Sequence, residues 1–255
     1  MLGMSESIVK VNNLRKSYSG REVVKGISFE VKAGETFGIL GPNGAGKTTT
    51  LEMIETLRPI DAGTVTISGA DVAKQPQKIK YMIGVQTQST AFMDKVKLTE
   101  LLEQQAAAYG EKVDAMGLLK EVNLEDKASS YIENLSGGQK QRFSIAAALV
   151  HKPKVFFMDE PTTGLDPQAR HRLWDLIKRV KTEGMTVILT THYMEEAEML
   201  CERVAIMDEG RIVALDTPQK LIKKLLERGF KKEKRIEQAN LEDVFLDLTG
   251  KELRH

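Results

Sequence analysis

Cysteine is almost missing from this chain: Cys201 is the one thiol in 255 residues. A lone thiol cannot close an intrachain disulfide, so a reducing compartment is expected. An excess of one charge is missing too. Lys plus Arg number 37 and Asp plus Glu 36, for a formal charge of +1. So balanced a chain is a poor candidate for a nucleic-acid binder, which carries a basic face, and no nucleic-acid partner is expected. No apolar run approaches the roughly 18 residues that cross a bilayer. Residues 1–16 lack the apolar core of a signal peptide. Internal repeats and low-complexity linkers are absent as well. The expectation is a cytoplasmic protein whose membrane role, if any, comes through a partner. What remains is an ordinary soluble composition, 41% hydrophobic and 29% charged. The length suits one large domain or two small ones, with a sizeable core.

Val, Ile and Phe concentrate at 8–11, 22–31 and 36–40, with turns at Ser19-Gly20 and Lys32-Ala33-Gly34-Glu35, and predict strands. Residues 36–40 form a short apolar strand that runs straight into a glycine-rich loop. A helix is expected over 47–57, ending near Pro59, then strands at 63–68 and 81–85. From about 98 to 150 the spacing turns helical: Leu98, Leu101 and Leu102, then Val113, Met116, Leu118 and Leu119, then Ile145, Ala146 and Leu149. Beyond this block the chain alternates. Strands are predicted at 155–158, 186–190, 204–207 and 211–215, and helices at 170–181 and 195–200. Alternating strands and helices imply a mostly parallel α/β sheet, with the block at about 90–150 inserted into it.

Gly41-Pro42-Asn43-Gly44-Ala45-Gly46-Lys47-Thr48 fits the phosphate-loop pattern, with a strand before and a helix after. Its glycines let backbone N–H groups turn inward around phosphate oxygens. Lys47 brings a point charge to the β- and γ-phosphates, and the Thr48 hydroxyl is placed for Mg²⁺. The helix that follows presents its positive end to the phosphates. Four apolar residues, 155–158, end in Asp159 and Glu160. The carboxyl end of a parallel strand faces the ligand crevice. There Asp159 can hold Mg²⁺ through water, and Glu160 can orient or deprotonate the attacking water. Leu135-Ser136-Gly137-Gly138-Gln139 opens a helix with a second backbone nest for phosphate. A single triphosphate needs one such nest, so the second suits the nucleotide of another subunit.

With these motifs in view, the sequence resembles the nucleotide-binding subunit of ATP-binding cassette (ABC) transporters. The pentapeptide at 135–139 matches that family's signature, and the likeness spans about residues 5–217. The resemblance implies further roles. Tyr18 matches the aromatic that stacks on adenine, and Thr49 the residue at the α-phosphate. Gln88 matches the glutamine that senses Mg²⁺ and the membrane partner; Gln86, two residues away, stays open as an alternative. Thr163-Gly164-Leu165-Asp166 matches the loop that crosses the dimer interface, with Gly164 where many branches carry alanine. His192 matches the histidine at the γ-phosphate, where a neutral imidazole can donate a hydrogen bond. His151, His171 and His255 are read as structural, Cys201 as a small core residue, and Leu173 and Trp174 as packing.

The tail carries an apolar stripe, Leu221, Ile222, Leu225 and Leu226, within a basic surround. A solvated helix is the plain reading of it, and contact with anionic lipid or a membrane partner the sharper one. Asn-Leu-Glu-Asp-Val-Phe-Leu at 240–246 and Thr-Gly-Lys-Glu at 249–252 resemble the closing segment of ATPases that serve drug- and peptide-export permeases. Those ATPases often have a longer segment before this ending, so a regulatory C-terminal domain is in doubt here. The fold expected is a P-loop NTPase core with an N-terminal antiparallel β-subdomain and an inserted helical subdomain, over 5–217, and a helical tail at 218–255. The function expected is ATP hydrolysis with Mg²⁺ by a head-to-tail dimer, of this chain or with a close paralogue. It would drive a separate transmembrane permease and lie peripherally on the membrane's inner face. The loop at 89–97 would offer Phe92 and Met93 as apolar anchors for that permease. The alternative is a soluble ABC ATPase without transport, for example one of cluster assembly.

Overall fold

The structure, a computed structural model, describes residues 6–86, 92–182 and 184–230. Two sheets form the frame. The first is antiparallel, in the order β2-β1-β4-β5, from β1 (Ser7–Tyr18), β2 (Arg21–Lys32), β4 (Ala62–Ile67) and β5 (Ala70–Asp71). The strand expected at 8–11 thus runs on to Tyr18. It does so through irregular register between Val11 and Leu14, where Asn13 takes a left-handed backbone (φ 46°).

The second sheet has the order β10-β9-β3-β8-β7-β6. Its strands are β3 (Thr36–Leu40), β6 (Ile83–Gln86), β7 (Val155–Asp159), β8 (Thr186–Thr191), β9 (Arg203–Asp208) and β10 (Arg211–Asp216). All pairings are parallel except that of β9 with β10. Parallel strands are covered on both faces, hence their near-continuous apolar sequences. Successive side chains point to opposite faces. Phe156, Met158, Val187 and Leu189 therefore join one core, and Val155, Phe157 and Ile188 the other. The second of these cores is closed by the antiparallel sheet through Val9, Val11, Leu14, Phe29 and Val65, and by α1 (Lys47–Ile54) through Leu51 and Ile54. The first is closed by helices.

Those helices include α3 (Leu98–Ala108), α4 (Ala115–Glu121) and α5 (Gly137–Leu149), placed between β6 and β7, whereas α2 (Pro76–Lys80), ahead of β6, packs Ile79 into the other core. Because β6 and β7 pair directly, the block enters and leaves the sheet between neighbouring strands. Apolar residues of all three helices, Leu102, Leu119 and Phe143 among them, pack with α6 (Pro167–Thr182) and α7 (Met194–Leu200) in one cluster. Among the described residues no helix is long and apolar enough to cross a membrane. Finally α8 (Pro218–Glu227) settles on this core through Leu221, leaving Ile222, Leu225, Leu226 and Phe230 exposed. The segment at 240–252, like His255, lies outside the described residues.

The sheet's parallel register gathers the functional segments. Leu40 pairs with Thr191, Asp159 with Thr190 and Gln86 with Met158. The loop after β3, the turn after β7 and the residue after β8 therefore emerge at one edge.

Candidate nucleotide-binding site

At that edge the phosphate loop is fixed by two close approaches. A Cβ on Gly41 would stand 2.1 Å from the Met207 carbonyl oxygen. Gly46 caps α1 in a left-handed backbone (φ 98°), and a Cβ there would meet the Val23 carbonyl at 2.9 Å. Only glycine meets both conditions. The first turn of α1, Lys47, Thr48 and Thr49, presents N–H groups that lack intrahelical acceptors, beside the helix's positive end. A cavity of about 360 Å³ is lined there by Asn43, Gly44, Gly46, Lys47, Thr48, Thr49 and Glu160.

The charged groups at this cavity are held by one another. The buried Lys47 ammonium donates to the carbonyls of Gly41 (2.9 Å) and Pro42 (3.2 Å) and lies 3.2 Å from Glu160 Oε1. His192 Nδ1 stands 3.3 Å from the other Glu160 oxygen. Glu160 itself has a left-handed backbone (φ 47°), and its N–H donates to Thr190 Oγ1 at 3.0 Å. Burial raises the Glu160 carboxyl, but the Lys47 ammonium and His192 outweigh it and hold it below the ordinary glutamate value. Asp159 behaves the other way: burial lifts it above the ordinary value, against hydrogen bonds from Thr190 and Thr48, with Glu160 and Glu52 pushing upward. Thr48 Oγ1 lies 3.2 Å from Asp159 Oδ1, which also accepts from Thr190 Oγ1.

These donors suit the ligands named from sequence. A hydroxyl and a carboxylate are hard oxygen donors, the kind Mg²⁺ takes. Among the described residues no group of three His, Cys, Asp or Glu forms a metal cage. Two protein oxygens at a phosphate loop match an ion that completes its shell with phosphate and water oxygens. Inward N–H groups and one ammonium match the phosphates themselves.

The signature turn lies in a different cavity. Ser136 and Gln139 cap α5 reciprocally: Gln139 N–H donates to Ser136 Oγ (3.3 Å), and Ser136 N–H to Gln139 Oε1 (2.8 Å). Ser136, Gly137, Gly138 and Gln139 line a space of about 290 Å³ with Gly164, Leu165, Asp166, Arg142 and Arg172. It shares no lining residue with the phosphate-loop cavity. Asp166 Oδ1 there accepts from Ala169 N at 2.7 Å and starts α6.

Other expected residues fall elsewhere. Tyr18 does not line the phosphate-loop cavity; its ring is partly exposed, with Lys16 Nζ at 5.5 Å and Arg58 Cζ at 5.7 Å from the centroid. Gln88 lies outside the described residues, while Gln86 is buried at the end of β6. Phe92, expected as a surface anchor, instead packs edge-on against Phe143 (5.0 Å) at the helical core, because the chain entering α3 folds over that ring. Met93 beside it is 64% exposed. Sequence reading missed Thr190, whose hydroxyl serves both Asp159 and the Glu160 backbone. A threonine late in an apolar strand carries no motif that would have marked it.

A mainly parallel sheet with a phosphate loop at its carboxyl edge defines a P-loop nucleotide-binding core. Comparison with known proteins gives the family. The ABC transporter family model matches residues 24–163. The linearmycin resistance ATP-binding protein LnrL of Bacillus subtilis (strain 168) is 43% identical over 223 residues, which are 86% of this chain and 72% of that protein. The Nod factor export ATP-binding protein I of Burkholderia orbicola (strain AU 1054) is 42% identical, over 86% of this chain and 74% of its own. Among solved structures, an ATP-binding subunit of an ABC transporter aligns with a TM-score of 0.78 and 30% identity, covering 95% of this chain and all of the other. CbiO1 of Clostridium perfringens, part of the ABC transporter complex cbiONQ, aligns with a TM-score of 0.77 and 28% identity, over 88% and 94%. The chain belongs to the ABC transporter family. It is an ATP-binding subunit whose ATPase activity is coupled to transport.

Proposed function

We propose that this chain powers an exporter by hydrolysing Mg-ATP in a head-to-tail dimer that drives a separate membrane permease. The observation that carries the dimer is the separation of the two nests. The loop with Lys47 and the turn with Ser136 line different cavities of one chain, which favours each completing the other's site across two chains. Export is favoured by the linearmycin-resistance and Nod-factor-export relatives, which also weigh against a soluble role such as cluster assembly.

Each residue then has a task. Lys47 exchanges Glu160 for phosphate oxygens, and Glu160, freed of that pair, accepts a hydrogen bond from the attacking water and takes its proton. His192 donates to the transferred phosphoryl group, and Thr49 receives the α-phosphate through its N–H. Thr48 and Asp159, with Gln88, are the residues that would hold Mg²⁺. When bound, the ion neutralises charge developing on the phosphate oxygens. Ser136, Gly137, Gly138 and Gln139 close over the partner's nucleotide, while Asp166 lies along the interface. Closing and reopening of this sandwich is the stroke delivered to the permease.

Light scattering on Glu160→Gln with and without Mg-ATP tests the dimer, because blocked hydrolysis should trap it. Monomer under both conditions sinks the sandwich. Ser136→Arg should abolish the trapped dimer and leave nucleotide binding at Lys47 intact.

A further inference from the structure

We propose that Arg170 and Tyr193 are a positioning pair, which orients His192 and ties that orientation to the loop ending at Asp166. The proposal rests on the roles given above to His192 and Asp166. It adds two residues to which the sequence motifs give no task.

The contacts form an unbroken series. Asp166 ends its loop by accepting from Ala169 N at 2.7 Å, and its carbonyl accepts from Arg170 N at 3.0 Å, in the first turn of α6. The Arg170 guanidinium carbon stands 4.5 Å from the centroid of the Tyr193 ring. Its Nε is buried without a hydrogen-bond partner among the described residues. The ring is therefore the main contact that accounts for where this cation lies. A guanidinium within about 6 Å of a ring centroid is drawn to the negative π face. The Tyr193 centroid in turn lies 4.1 Å from that of His192, with the planes tilted by 40°. Tyr193 is set by its own backbone, which precedes α7 and whose N–H donates to Thr191 Oγ1 at 3.0 Å. His192 then meets Glu160 at 3.3 Å.

The physical consequence is a restricted imidazole. His192 is 31% exposed, and besides Glu160 it packs against the Tyr193 ring. A ring held from one side by a cation on α6 limits the rotamers the histidine can sample. Any shift of the first turn of α6 moves the guanidinium, the tyrosine with it, and so the histidine. In a dimer, where the loop at 163–166 meets the other chain, assembly would set His192 for the reaction.

Contiguity alone does not establish coupling, so the test measures it directly. The full chain is compared with Arg170→Gln, Tyr193→Leu, the double variant, Tyr193→Phe and a His192→Ala control. ATP turnover is measured together with the NMR resonance of the His192 ring proton, assigned by its loss in His192→Ala. Each single variant should lower kcat about tenfold, with KM for ATP within about twofold and the unfolding midpoint unchanged. The double variant should be no slower than either single one. Tyr193→Phe keeps the ring and should stay near the parent rate. In Arg170→Gln the ring proton should move towards its free position, a readout that stands even where turnover is slow. Parent-like kcat in Arg170→Gln or Tyr193→Leu, beside an inactive His192→Ala, overturns the pair and leaves the role of His192 standing. Multiplying losses in the double variant, a loss carried by KM or by unfolding, or an unmoved proton resonance also overturns it. Parent-like turnover in His192→Ala overturns instead the reading of the histidine on which the pair depends.

Discussion

Glu160 is held by Lys47, His192 and Thr163 around its carboxylate and by Thr190 at its backbone. That setting keeps it ionised and pointed into the phosphate-loop cavity, which it helps to line. Glu160→Gln removes the base with little change of shape. It should keep ATP binding and slow steady-state hydrolysis about 10²–10⁴-fold; turnover within about threefold of the parent would remove Glu160 from the chemistry. A second carboxylate behaves oppositely. Burial at the end of α1, helped by the charges of Asp159 and Glu52, pushes Glu55 up from 4.5 to about 8. The unfolded chain releases that proton near pH 4.5 and the folded one only near 8, so folding retains a proton in between. Stability is complete below the lower value and falls as pH rises towards 8, by up to about 1.4 kcal/mol per pH unit. Glu55→Gln should flatten this part of the profile in urea unfolding at pH 5 and 8.5; an equal loss in parent and variant would contradict it. The two glutamates also mark what sequence can show. Glu160 was legible because it follows an apolar strand and one carboxylate. Glu55 was not, because its burial comes from tertiary packing around α1, which meets strands of both sheets, and no local pattern records that.

Element boundaries followed local chemistry where local chemistry was decisive. The strand expected at 36–40 is β3 as found, since a fully buried apolar run between Glu35 and a glycine loop has no competing choice. The turn at Ser136 starts α5 with a capping box, as a Ser followed three residues later by Gln should. Where tertiary pairing decides, the reading fell short. The mostly polar stretch 12–18 continues β1 because β2 and β4 supply its hydrogen-bond partners on either side. Trp174 was read only as packing, yet it has a polar task that joins two helices. Its indole N–H on α6 donates to Glu196 Oε1 on α7 at 3.0 Å, and both side chains are buried. Glu196 Oε2 has no partner among the described residues. Trp174→Phe would leave the carboxylate wholly unpaired, at a cost of about 1–3 kcal/mol beyond the lost packing. Adding Glu196→Leu removes the orphan and should recover part of that loss. Urea unfolding of the singles and the double checks this, and strictly additive losses would mean that the hydrogen bond does not join the helices.

At the scale of the whole molecule, the helical block can communicate with the sheet because it enters and leaves between two paired strands. A permease segment seated beside that entry would touch both parts at once. Among the described residues, Met93 is an exposed apolar side chain at this place, while Phe92 packs into the helical core against Phe143. An anchor seated in a groove contributes a few kcal/mol to an interface, about 2 or more for a dominant one. Losing about 2 kcal/mol weakens binding roughly thirtyfold. Met93→Asp should therefore release the subunit from membranes of cells that also express its permease. Its unfolding midpoint and ATP binding should match those of the parent, because an exposed side chain leaves the core untouched. Phe92→Asp should instead lower the midpoint, by placing a charge against a buried ring. Fractionation, run beside thermal unfolding of both variants, separates the two effects. If Met93→Asp remains wholly in the membrane fraction, the docking surface lies away from the chain entering α3, and the permease meets this subunit through another face.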